Sequence, residues 1–224
     1  MRQLLVGDCH FGTSSNSVIW LENQLLFFNT KFFDVLKNKD MTIIYSNYLD
    51  DDCRILQNIW KGFDNVRVIE ITPSSVDYED IINNAISEET DTLIMCGHGT
   101  SYGLLFPNMY RGEYLIHENN VHLIKAKKVI CSWCYASNFC LNHPELKNCF
   151  ATSMFISNEK EAIDNGIFGY NQDQINKNAE RFDTEINWLL KNNIPLDEWV
   201  MRLGAHMDIE NAIDVFNRQC IHYQ

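Results

Sequence analysis

The chain has 224 residues, enough for one globular domain with a substantial core or a domain with a small appendage. Its 30 acidic residues against 18 basic ones leave a net charge of −12, a field that repels phosphate backbones and argues against a broad nucleic-acid surface. No apolar run approaches membrane-spanning length, and Met1-Arg2 leads into a short strand rather than a secretory segment, so a cytoplasmic chain with reduced cysteines is expected.

Residues 2–6 read as a strand that closes in Gly7-Asp8-Cys9-His10-Phe11-Gly12. Residues 18–37 carry Trp20, Leu25, Phe28, Phe32 and further apolar residues at helical spacing. These two pieces resemble the start of calcineurin-like metallophosphoesterases, in which the Asp and His of the first motif bind a metal. The resemblance implies that role for Asp8 and His10. The later motifs of that family are missing, and two ligands do not hold a two-metal centre. The simpler alternative is that Asp8 and His10 end a strand and cap a helix. Residues 1–40 are read as a strand–helix extension.

From residue 41 strands and helices alternate. Residues 41–46 are a β-branched strand, 50–63 a helix with an Asp-rich start, 66–71 a strand, 77–87 a helix and 93–95 a strand. Short connections between such units predict right-handed crossovers and a mostly parallel sheet. Residues 102–106 and 110–116 read as a hairpin, and 119–125 as a short helix. An apolar run from Lys128 ends at Ser132-Trp133-Cys134, and 149–156 is a further strand. Helices are expected over 158–167, 175–191, 195–202 and 208–221. The expected architecture is an α/β three-layer sandwich, with a core over 41–165 and a C-terminal helical region, 166–224, packed on it.

Two of these strands end in reactive side chains. One runs into Cys96-Gly97-His98-Gly99 and the other into Cys131-Ser132-Trp133-Cys134. In open α/β sheets, loops at the carboxyl ends of strands form the crevice where chemistry collects. If the two strands are neighbours, an imidazole and a thiol face one crevice, a pairing suited to nucleophilic catalysis.

The order strand, Asp-rich helix start, strand, helix, strand–His98-Gly99, Gly103-Leu104-Leu105 hairpin, short helix, strand–Ser132-x-Cys134 and strand resembles the caspase-like fold of cysteine peptidases. That group includes caspases, gingipains, clostripain and CHAT domains. The resemblance covers a little over half of the chain. It implies that His98 is the general base and acid, that Cys134 is the nucleophile, and that the amides of Gly99 and Cys134 form the oxyanion hole. It places substrate recognition near Asp50 and Asp51, where acidic residues would favour Lys or Arg before the scissile bond. Tyr102 and Trp133, beside the two reactive residues, are read as further substrate contacts. No metal or cofactor is required for this chemistry. The expected partners are a protein or peptide substrate and a protein that assists its recognition, with no membrane and no nucleic acid.

Other readings stay open. Trp133 and Tyr135 are bulky where the family has small residues, which suits a catalytically inactive caspase-like binding module. A divergent metallophosphoesterase rests on Asp8 and His10. Cys134 alone would read as a buried core thiol. Cys96, His98, Cys134 and Cys140 would have to converge to hold zinc. His117, His122 and His143 read as surface histidines, and Trp188, Trp199 and Phe216 as core.

Overall fold

The computed structural model describes residues 41–108 and 112–224. The expectations for residues 1–40, Asp8 and His10 among them, lie outside the described residues, as does the part of the hairpin at Met109, Tyr110 and Arg111. The described chain runs through β1 (Met41–Ser46), α1 (Asp51–Leu56), β2 (Val66–Ile71), α2 (Tyr78–Ser87) and β3 (Thr92–Cys96). The short strands β4 (Gly99–Thr100), β5 (Gly103–Leu105) and β6 (Tyr114–Ile116) follow, then β7 (Lys128–Ser132), α3 (Ala136–Asn142) and β8 (Cys149–Thr152). The chain closes with α4 (Glu159–Asp164), α5 (Gln172–Lys191), α6 (Trp199–Ala205), α7 (Ala212–Gln219) and β9 (Ile221–Tyr223).

The central sheet has the order β2-β1-β3-β7-β8-β9. Its first five strands are parallel, and β9 is antiparallel to β8. Parallel strands covered on both faces are apolar throughout, and β1 and β3 are buried at every position. Side chains of one strand alternate between faces. Leu93 and Met95 of β3 therefore enter one core with Ile82 and Ile86 of α2 and Phe139 of α3. Ile94 and Cys96 enter the other, with Phe182 and Ile186 of α5 and Trp199 of α6. Helices thus cover both faces, which gives the three expected layers.

The helix starts follow local chemistry. Asp50 caps α1, its Oδ1 accepting from the Cys53 amide at 2.8 Å. Asn171 and Gln174 form a reciprocal capping box that starts α5. At 20 residues this helix is long enough to cross the sheet, and Asn187 Nδ2 ties it to the loop after α1 by donating to Ile59 O at 2.9 Å. The run expected as one helix over 50–63 divides into α1 and a 3-10 turn, Gln57–Trp60.

Two elements differ from the sequence expectation. Residues 136–142, polar enough to read as a loop, form α3, because Phe139 and Cys140 are fully buried against the sheet. The last helix stops at Gln219, and Ile221–Tyr223 instead pairs with β8, Thr152 facing Ile221 and Phe150 facing Tyr223. An open sheet edge and a β-favouring Ile-His-Tyr outweigh continued helix there. Together, α5 and β9 make residues 166–224 part of the same sheet and core. Trp188 is also half exposed rather than core, whereas Trp199 is buried.

Candidate active site

The carboxyl ends of β1, β3 and β7 lie side by side, because Tyr45 pairs with Cys96 and Cys96 with Ser132. The three loops that leave them carry Asp50, His98 and Cys134. The chain is shaped to bring them close. Gly97 has φ +143, and a Cβ there would meet Ser46 O at 2.6 Å, so only glycine allows the loop after β3 to pass the end of β1. Leu49 takes a left-handed conformation (φ 64) just before Asp50, with its amide held by Asn47 Oδ1 at 2.8 Å.

His98 Nε2 lies 2.8 Å from Asp50 Oδ2. The second oxygen of Asp50 is the α1 cap, so the carboxylate is fixed by a helix amide while it orients the imidazole. The Tyr48 ring meets the His98 ring edge-on, with centroids 4.7 Å apart, and its hydroxyl donates to Phe106 O at 2.8 Å. Burial by itself would lower the pKa of His98. The Asp50 hydrogen bond and the charges of Asp50, Asp52 and Glu161 outweigh it and raise the pKa above its ordinary value. Burial likewise pushes Asp50 up, but the bonds from His98 and the Cys53 amide win and bring it down to about 2. With Nε2 facing Asp50, Nδ1 is the nitrogen left for proton transfer.

Cys134 sits in a tight strand-to-helix turn. Tyr135 is left-handed (φ 65) and starts α3, while Trp133 O accepts from the Ala136 amide at 3.2 Å and from Thr152 Oγ1 at 2.9 Å. Cys134 Sγ lies 3.8 Å from Phe155 O, a weak contact. Burial pushes the thiol up to about 11, offset in part by that contact and reinforced by Glu161 and Asp52. At neutral pH it is therefore a thiol, and a thiol acts as a nucleophile only where a base takes its proton.

His98 and Cys134 line one cavity, open to one side, with Asp52, Ser157, Phe155 and Asp183 among its other walls. Ser157 Oγ is 2.7 Å from Asp52 Oδ2 and 3.0 Å from Glu161 Oε2, and its single proton serves one of them at a time. Burial raises the pKa of Asp52 despite the serine hydrogen bond.

The other site residues named from sequence are distributed as follows. Asp50 is on the imidazole, and Asp51 pairs with Arg54 at 2.8 Å on the exposed side of α1. Trp133 is buried, lines the cavity, and donates from Nε1 to Thr100 O at 3.1 Å. Its indole lies on Gly99, where a Cβ would meet Trp133 Cδ1 at 2.0 Å. Tyr102 is exposed and is not part of the cavity wall. Sequence reasoning did not single out Ser157 or Asp183. Ser157 is carried by the segment after β8, and Asp183 lies on α5, where the surrounding sequence is that of an ordinary amphipathic helix.

Two groups of side chains have the donor types for a metal: Asp50, Cys53 and His98, and the buried thiols Cys131, Cys140 and Cys149. A structural zinc takes four ligands, and no fourth acidic, Cys or His donor joins either group among the described residues. The convergence of Cys96, His98, Cys134 and Cys140 is not among these groups. Cys140 instead lies 3.3 Å from Cys149 in the core on the opposite sheet face from Cys96.

No protein-family model matches this chain, and no curated protein matches its sequence. Among the described residues no helix is long and apolar enough to cross a membrane.

Proposed function

We propose that this cavity is the active site of a caspase-like cysteine endopeptidase. The observation that carries the reading is that His98 and Cys134 line one cavity at the carboxyl ends of the adjacent parallel strands β3 and β7, with Asp50 holding the far side of the imidazole. His98 Nδ1 takes the thiol proton of Cys134 as sulfur attacks the peptide carbonyl carbon. The proton then passes to the leaving amine, and water, deprotonated by His98, releases the acyl group from sulfur. The Gly99 and Cys134 amides are assigned to the developing oxyanion. Asp50 is a positioning residue of the kind that keeps a catalytic His in one tautomer. A substrate with a basic residue before the scissile bond suits the site, since Asp52 lines the cavity and Asp51 does not.

The raised thiol pKa and the indole seated on Gly99 favour a second reading, a noncatalytic caspase-like binding module. Labelling with an acyloxymethyl-ketone probe bearing Arg or Lys, read by mass spectrometry, separates the two. Labelling confined to Cys134 and abolished by His98→Ala supports the peptidase. Slow labelling of every accessible cysteine, unchanged by His98→Ala, leaves the binding module.

A further inference from the structure

Asp183 is an anomaly that the proposed chemistry does not use. It sits on α5 at 3% exposure and lines the reactive cavity. No hydrogen bond or ion pair reaches its carboxyl among the described residues. Elsewhere on the same helix Asn187 binds two backbone carbonyls and Glu185 binds Arg218; Asn178 Oδ1 and Arg181 Nε also lack a hydrogen-bond partner among the described residues, but neither residue lines the cavity. A buried polar group without a partner costs on the order of 1–3 kcal/mol, more if charged, so an unmatched carboxyl in a cavity implies a ligand that completes it. The neighbouring walls, Phe155, Phe182, Ile55 and Ala179, are apolar, and Asp52 is the other carboxylate. No Lys or Arg lines the cavity among the described residues. Apolar walls with carboxylates and no competing cation match a side chain with an alkyl stem and a cationic head.

We propose that Asp183 is the anchor of a specificity pocket that takes the ammonium or guanidinium head of a lysine or arginine side chain of the substrate. This rests on the peptidase reading, since it makes the cavity a substrate cleft. The stem lies along the apolar wall that the packed rings of Phe155 and Phe182 form together, and the head reaches Asp183, with Asp52 contributing charge. Burial holds Asp183 well above the ordinary carboxylate range. A cation arriving beside it favours the carboxylate form, so binding is accompanied by loss of the proton wherever the pH lies below the raised pKa.

The test is calorimetric binding of N-acetyl-arginine methylamide and its neutral citrulline counterpart to the full chain. The expected result is a preference of about tenfold or more for the arginine compound, the scale of one charge-assisted hydrogen bond. Asp183→Asn removes that preference and Asp183→Glu keeps part of it. Equal affinity for the two compounds, or a preference that survives Asp183→Asn, overturns the proposal. Should Asp183→Asn not fold, proton release is measured from the buffer dependence of the binding heat, in a His98→Asn background so that the imidazolium contributes none. Cys53, Cys96, Cys134, Asp50, Asp52 and Glu161 are the remaining titratable groups around the cavity, and Asp52 is a second carboxyl there whose pKa burial raises. Asp52→Asn therefore serves as the control. Release of a proton that persists in that control supports Asp183, and its absence counts against it. His98-dependent labelling of Cys134 reports separately on the peptidase. Its failure beside an intact arginine preference sinks the peptidase reading alone, and the reverse sinks Asp183.

Discussion

Asp50 and His98, 48 positions apart in the chain, meet through a 2.8 Å contact between Oδ2 and Nε2, and the same carboxylate caps α1 through its other oxygen. One side chain thus couples the first helix of the core to the orientation of the imidazole.

The Asp50–His98 pair makes stability depend on pH in a definable window. Asp50 is depressed to about 2, so its contribution is present above its ordinary value of 3.8 and lost as pH falls through about 2. His98 is raised, so its contribution is present below 6.5 and lost as pH rises through the folded value. Urea unfolding is therefore expected to give a larger stability at pH 5 than at pH 8, with the difference shrinking in Asp50→Asn. A difference that Asp50→Asn leaves intact assigns it to other groups.

On the proposed peptidase chemistry, the same pair sets the acid limb of activity. A base must be unprotonated to accept the Cys134 proton, so the limb of kcat/KM follows the raised His98 pKa and lies above pH 6.5. Asp50→Asn is expected to move it downward and to lower kcat by about 10²- to 10⁴-fold, as loss of a positioning carboxylate does. An NMR titration of His98 in both proteins checks the shift directly.

Alkylation of Cys134 by iodoacetamide is expected to be slow at pH 7 and to rise steeply toward pH 10, because burial holds the thiol at about 11. A plateau already at pH 7 would show a preformed thiolate and contradict the environment described above.

Gly99 is required by Trp133 rather than by its own backbone angle. A Cβ 2.0 Å from Cδ1 of a buried indole forces the ring or the strand to move. Gly99→Ala is expected to cost about 1–3 kcal/mol in thermal or chemical unfolding, the range for overpacking. The smaller ring in Gly99→Ala/Trp133→Phe should recover part of it. No recovery in the double variant places the strain elsewhere.

Asp214 is fully buried between α5 and α7, where its Oδ1 accepts from Arg218 Nε at 2.8 Å and from Asn178 Nδ2 at 3.0 Å. Asp214→Ala leaves the buried guanidinium of Arg218 with Glu185 as its remaining acidic partner, and is expected to destabilise by about 3 kcal/mol or more. Cavity labelling of Cys134 should persist in whatever fraction stays folded.

The strands and most helices were legible because periodicity is local. The largely apolar runs of 41–46 and 92–96 need burial on both faces, and the four-residue spacing of Ile82 and Ile86 needs one covered helix face. The α3 helix was not legible because its larger apolar residues, Phe139, Cys140 and Leu141, are consecutive and set no helical period; only the first two are buried, and the sheet beneath supplies the rest of its stability. The terminal strand β9 escaped because three residues carry no period until β8 offers them an edge.

The candidate site divides along the same line. The sequence alone placed His98 and Cys134 at the ends of two apolar runs, and that is where they stand, because a strand's end is marked by its own residues. It could not show that Asp50 turns onto His98 while Asp51 turns out to Arg54, nor that Ser157 and Asp183 reach the same cavity from distant segments. Those placements depend on strand order and on how α5 lies across the sheet. They arise from burial summed over the whole core, which no short window of sequence contains.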